Sequence, residues 1–245
     1  MGSQGIFSGL VRTLAAVCLC ASMSLAALAN GAVEVTIDSG TMTNGYMNVF
    51  DLPANGGSYQ FGSAWTIGDL NATFQNSSTV TFTPNTIGDA NSYWYTPSGG
   101  PGATGNKIME ANLYAQNDGG LAGQTINFKG NVTSFTLQTG TNPNTDYTFT
   151  AFIRDFAPDF SAVVQTLIPI TTTGEFSATL ATINDPARHV QWGLQMKGPD
   201  VWATDVAAKG SVTVTAVPEP SSVALLGIGG GILAAIARRR VGRDS

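Results

Sequence analysis

The side chains best suited to hold a ligand are five aromatics in turn-rich stretches: Trp65, Tyr93, Trp94, Tyr95 and Trp202. A flat ring packs against the C–H face of a sugar, while neighbouring Asn, Gln and Asp bond its hydroxyls. The competing role for such rings is to plug the ends of the fold. Trp192 differs from the five because it alternates with Val190, Leu194 and Met196, and it reads as core.

Residues that could carry a reaction are fewer. Hydrolysis of a glycosidic bond needs two carboxyl groups, ~5–5.5 Å or ~6.5–9.5 Å apart. Glu110 stands alone in a neutral segment, and Asp155 or Glu175 could join it across a sheet face. Its other reading is structural, bonded to Arg154, Lys107 or loop amides. The chain has one histidine, His189, and neither a G-x-S-x-G nor an H-E-x-x-H pattern accompanies it. A strand-edge histidine with a packing or hydrogen-bonding role is the simpler reading. No catalytic residue is assigned. Asp69, Asp89, Asp118, Asp146, Asp159, Asp185, Asp200 and Asp205 sit in or beside turns, where aspartates cap backbone amides. Such clusters also bind calcium in secreted β-proteins, so calcium is the ion these residues could hold. No cofactor is assigned and the metal ligands stay unknown.

The elements that must position these residues are strands. Period-two alternation recurs and helical periodicity is nearly absent between Ala32 and Ala216. Val33, Val35 and Ile37 share one face of a first strand. Leu70–Gln75 and Thr79–Thr83 form a hairpin through Asn76-Ser77-Ser78. Along 107–116, Met109, Ala111, Leu113 and Ala115 form the inner set, opposite Ile108, Glu110, Asn112 and Tyr114. Strands are expected at 125–129 and 134–138, linked through Gly130-Asn131, then at 147–156, 163–170, 175–181, 189–197 and 211–216. About a dozen strands at this spacing predict an all-β fold, a two-layer antiparallel β-sandwich of jelly-roll type. A long Asn/Gly/Pro-rich loop over 84–106 carries Tyr93, Trp94 and Tyr95.

Both ends of the chain depart from this pattern. Arg12, an apolar stretch over 14–28 and the small pair Ala27 and Ala29 read as a secretory signal peptide over 1–29, with its helix and a signal peptidase site. Both cysteines lie inside it, so residues 30–216 contain no thiol. That segment holds six basic and fourteen acidic side chains, a net charge of −8. Such a surface repels nucleic-acid phosphates and leaves cations or neutral glycans as partners. At the other end, Val217-Pro218-Glu219-Pro220 breaks regular structure. An uncharged run from Val223 to Ala237 comes next, then Arg238, Arg239 and Arg240. The run has marginal length for a transmembrane helix, and the arginines mark a cytoplasmic stop.

The order of Val217-Pro218-Glu219-Pro220, a glycine-containing apolar segment and an arginine cluster resembles the PEP-CTERM sorting signal of Gram-negative bacteria. The resemblance implies export, transient inner-membrane retention, and removal of the tail by an exosortase-type enzyme acting on this chain as substrate. A second resemblance covers most of 34–216. Gly105–Tyr114, Gly123–Phe128, Ala151–Phe156 and His189–Gly193 with Gly198–Trp202 look like a recurrent β-domain of PEP-CTERM proteins from planctomycete-like bacteria. It implies a sandwich like that of carbohydrate-binding modules and no known reaction.

The expected organisation is a signal peptide at 1–29, a β-sandwich ectodomain at 30–216 and a sorting signal at 217–245. The expected function is that of a non-enzymatic protein at the cell surface or in the matrix, holding extracellular polysaccharide. The alternative is a glycan-active hydrolase or lyase using paired carboxylates. Replacing Pro218-Glu219-Pro220 by three alanines is expected to leave the protein in the inner-membrane fraction. Release from the membrane at the wild-type level, measured by immunoblotting of fractions, would refute the sorting role.

Overall fold

The computed structural model describes residues 31–217. The expected signal peptide with its helix and cleavage residues Ala27 and Ala29, Pro218, Glu219 and Pro220, the expected transmembrane segment and Arg238–Arg240 lie outside the described residues. Backbone contacts divide the chain into residues 1–32 and 33–245. Among the described residues no helix is long and apolar enough to cross a membrane.

Among its described residues, the second unit is built from fourteen strands. They are β1 (Val33–Val35), β2 (Asn44–Asp51), β3 (Tyr59–Ala64), β4 (Ala72–Asn76), β5 (Thr79–Phe82), β6 (Tyr95–Thr96), β7 (Thr104–Gly105) and β8 (Lys107–Asp118), then β9 (Thr125–Phe135), β10 (Thr148–Phe156), β11 (Val163–Ile170), β12 (Gly174–Ala181), β13 (His189–Pro199) and β14 (Val212–Thr215). One helical turn, α1 (Val206–Lys209), precedes β14. The first sheet runs β1-β9-β14-β5-β4, with β12 on the other edge of β9. The second runs β11-β10-β13-β8-β2-β3 and is antiparallel throughout. This is a two-layer all-β sandwich. The chain crosses between layers repeatedly, as in a jelly roll.

The core forms where the alternation of both sheets points inward. From the first sheet come Val80, Phe82, Ile126, Phe128, Ala178, Val212 and Val214. From the second come Met47, Val49, Met109, Ala111, Leu113, Phe149, Ile153, Leu194 and Met196. Phe82 and Phe149 join the layers with ring centres 5.2 Å apart at 72°, the edge-to-face geometry that aromatic pairs favour. On the outside of the first sheet the same alternation places threonines. Thr81 and Thr213 share a hydrogen bond at 2.9 Å, and Thr79 donates to Thr215 at 3.2 Å.

Three expectations are corrected. The two strands at 125–129 and 134–138 are one strand, β9, because Gly130 marks close packing and not a turn. A Cβ there would lie 2.5 Å from the Phe176 ring. The sandwich is not wholly antiparallel, since β1 runs parallel to β9, with Val33 opposite Ile126. Finally, Asp155 and Glu175 do not join Glu110. Asp155 lies on the inner side of β10 and is fully buried, while Glu175 belongs to the other sheet.

Asp155 has a different task. Its Oδ1 accepts from Arg188 Nε at 2.8 Å, its Oδ2 accepts from the Ile183 N–H at 2.7 Å, and Arg188 also donates to its carbonyl at 2.7 Å. The pair fastens the loop before β13 to the end of β10. Removing one partner of a buried pair leaves an uncompensated charge, at a cost of about 3–5 kcal/mol. Asp155→Ala is therefore expected to lower unfolding free energy by about that amount in guanidinium titrations followed by tryptophan fluorescence.

Candidate functional site

With Met109, Ala111, Leu113 and Ala115 in the core, β8 must present Glu110, Asn112, Tyr114 and Gln116 on the outer face of its sheet. The antiparallel register carries the pattern sideways. Tyr114 lies opposite Gly193, which lies opposite Phe152. Gln116 lies opposite Gln191, then Arg154, and Asp118 lies opposite His189, then Phe156. On the other side Tyr46 and Asn48 of β2 stand opposite Asn112 and Glu110. A glycine is required at 193, because a Cβ would meet the Leu113 carbonyl and approach Tyr114 and Phe152 at 2.8 and 2.9 Å. The floor is thereby kept low between flanking rings.

Tyr46, Asn48, Tyr114, Gln116, Phe156, Phe160 and Gln191 line a groove of about 620 Å³ on this face. None of these seven side chains is charged. The charges beside them are engaged by neighbouring side chains. Glu110 accepts from Lys197 Nζ and Asn48 Nδ2, both at 3.0 Å. Arg154 donates to Asn112 at 2.9 Å and to Gln165 at 3.3 Å, with its guanidinium 3.9 Å from the centre of the Phe152 ring. Burial holds Arg154 below its usual range and pushes the Tyr114 phenol up. Gln191 donates to Gln116 at 2.8 Å, and Gln116 donates to Asp118 at 2.9 Å. The arrangement offers aromatic faces and amide groups to a neutral ligand.

His189 fits the structural reading given from the sequence. Its Nδ1 lies 2.7 Å from Asp118 Oδ1 and its Nε2 3.3 Å from the Pro158 carbonyl. Glu110 is likewise a paired carboxylate, although its partners are Lys197 and Asn48 and not Arg154 or Lys107. Among the described residues no three of His, Asp and Glu gather as a metal site would require.

The five aromatics singled out from the sequence do not form one site. Tyr95 has no exposed surface; its hydroxyl donates to the Ile87 carbonyl at 2.9 Å, lies 3.3 Å from the Val201 carbonyl and accepts from the Ile87 N–H. It therefore offers no face to a ligand and pins the long loop. Trp202 packs edge-on against Tyr95 at 5.3 Å. Half-buried Trp94 is wedged between Phe61 and Tyr93. Tyr93 is exposed, with Lys107 Nζ 4.0 Å above its ring. Trp65 lines a separate cavity of about 610 Å³ with Thr66, Asp69 and Asn71, its Nε1 donating to Ser63 at 2.9 Å. None of the seven groove residues, Tyr46, Asn48, Tyr114, Gln116, Phe156, Phe160 and Gln191, was among the binding candidates read from the sequence. The available signal was the polar and aromatic row facing away from the core in 107–116, continued in 147–156.

Residues 216–241 match the family described as PEP-CTERM protein-sorting motif. The chain carries this sorting motif. It is thereby an exported protein with a transient C-terminal membrane anchor, processed by an exosortase-type enzyme. No curated protein matches the chain. Among solved structures, one similar chain is described as promiscuous carbohydrate-binding modules of the β-sandwich superfamily. It shows 16% identity and a TM-score of 0.29 over 70% of each chain. Another is the CBM22-1–GH10 portion of a Clostridium thermocellum xylanase, Xyn10B, complexed with xylohexaose. There the identity is 12% and the TM-score 0.23, over 47% of this chain and 22% of that one.

A second cavity, of about 450 Å³, borders Asp200 and Tyr147. Asp200 Oδ1 accepts from the Lys107 N–H at 2.9 Å, while burial pushes its carboxyl up to about 7. A raised carboxyl keeps its proton longer in the folded state than in the unfolded chain. Its contribution is thus most favourable at acid pH and declines as pH rises from about 4 to about 7. Asp200→Asn is expected to flatten stability between those values. The check is the guanidinium midpoint at pH 4.5 and 7.5, and an unchanged slope in the variant would count against the assignment.

Proposed function

We propose that this exported protein works at the cell surface or in the extracellular matrix, where it holds a neutral polysaccharide along the outer groove of its second sheet and performs no reaction on it. The working domain is residues 30–216, with the signal peptide and the sorting tail removed. The observation that carries the reading is the groove itself. Tyr46, Tyr114, Phe156 and Phe160 supply ring faces for sugar C–H groups, and Asn48, Gln116 and Gln191 supply donors and acceptors for hydroxyls. Beside the groove, Glu110 is ion-paired with Lys197, and the Arg154 guanidinium is engaged by the Asn112 and Gln165 amides and the Phe152 ring. The net charge of −8 on 30–216 further disfavours polyanions. The reading assigns no cofactor to the groove.

The test is affinity electrophoresis of the purified protein in gels containing hydroxyethylcellulose, xylan, galactomannan or alginate. At least one uncharged polysaccharide is expected to retard it and alginate is not. Tyr46→Ala and Tyr114→Ala are each expected to weaken retention about tenfold, equivalent to ~1.4 kcal/mol. Trp65→Ala and Tyr93→Ala provide the comparison. Loss of binding in those two variants but not in the groove variants would move the site to the loops. Absence of retardation in every gel would overturn the reading. New reducing ends from a retained polysaccharide would overturn its non-enzymatic part.

A further inference from the structure

One end of the groove is built around a single imidazole. The turn between β10 and β11 carries Phe160, a groove-lining residue that is 52% exposed and has a φ of 59°. That left-handed conformation is costly for a bulky side chain and persists only where its surroundings enforce it. Within the turn, the Phe160 N–H bonds the Ala157 carbonyl at 2.9 Å and the Ala157 N–H bonds Ala162 at 2.8 Å. Outside the turn, the Phe160 ring lies parallel to the His189 imidazole, centres 4.5 Å apart and planes within 1°. It also leans on Phe156 at 5.5 Å.

Both nitrogens of His189 face groups that can only accept: the Asp118 carboxylate and the Pro158 carbonyl of the same turn. A neutral imidazole has one N–H and satisfies one of them; the imidazolium satisfies both. With the carboxylate retaining the Nδ1 proton, a neutral His189 would turn the Nε2 lone pair toward the Pro158 carbonyl, replacing attraction by repulsion. The contact continues into the groove floor, because Asp118 also accepts from Gln116, which accepts from Gln191.

We propose that His189 is the positioning residue of this groove: its imidazolium clamps the Phe160 turn over one end, so the groove holds its ligand more tightly when His189 is protonated. The inference rests on the groove being the binding site. The surrounding charges leave this role to Asp118. Arg188 is bound into Asp155, Asp159 is engaged by Ser161, and Asp185 caps the Ala187 N–H. Both partners respond as a clamp requires. The bond to Asp118 raises His189, and the same bond lowers Asp118. The clamp is therefore complete from below the ordinary carboxylate value to above the ordinary imidazole value, and it is lost as pH rises through the raised value of His189.

Because the chain has one histidine, its ring signals in NMR spectra of the full chain in detergent micelles are unambiguous. The His189 ring is expected to titrate above its ordinary value, with its contacts to Phe160 lost over the same pH range. Asp118→Asn is expected to lower that value. In gels containing the uncharged polysaccharide that retards the protein, binding is expected to weaken about fivefold from pH 5.5 to 8.5, and His189→Gln is expected to abolish this dependence. Asp200→Asn controls for the buried carboxyl that burial raises into this range. An ordinary His189 value, or Phe160 contacts unchanged across the titration, would overturn the clamp. A titrating clamp beside pH-independent retention would overturn the coupling alone, whereas no retention at any pH would overturn the groove reading itself.

Discussion

Everything in this domain depends on the two-sidedness of β8 and β13. Each strand must fill the core with one row of side chains and build the groove with the other. Met109, Ala111 and Leu113 are buried by the same alternation that turns Glu110, Asn112 and Tyr114 outward. A slip of one residue would exchange the two rows, putting a carboxylate and amides into the core. The apolar row therefore sets the register, and the register sets the groove. The long antiparallel pairing, from His189 opposite Asp118 to Pro199 opposite Ile108, transmits that register across the sheet.

The polar parts of the sandwich obey a second constraint, the high cost of leaving a buried charge without a partner. Asp155 is closed off by Arg188 and the Ile183 amide, which anchors the loop leading into β13. On the outer face Glu110 is paired with Lys197, Asp118 faces His189 and Arg154 is engaged by the Asn112 and Gln165 amides, while the groove lining itself is uncharged even though the domain carries excess negative charge. Asp200 lies at the other extreme, where burial outweighs the backbone hydrogen bonds to its carboxylate.

Local chemistry made much of the fold legible. The hairpin of β4 and β5 falls on its Asn-Ser-Ser turn, and the inner rows of β8, β10 and β13 match the alternation in the sequence. Pro169 within β11 agrees with that strand's place at a sheet edge, where a missing N–H costs little. Gly130 misled because a glycine that admits a neighbouring ring and a glycine that makes a turn look alike in one dimension. Parallel pairing of β1 with β9 was hidden for a related reason, since alternation specifies faces and not partners.

The aromatic residues mark the boundary between the two kinds of information. By itself the sequence determined the all-β class, the inward rows, the neutral-to-acidic character of the domain and the sorting motif at its end, because composition, period and short motifs are local. Which rings face a ligand was decided only by tertiary structure. Tyr95 and Trp202 interlock beneath the long loop, whereas Tyr46, Tyr114, Phe156 and Phe160, scattered over more than a hundred residues, meet on one face. Their meeting results from strand order and register across β2, β8, β13 and β10. Those are non-local choices, set by how two sheets bury their apolar rows together.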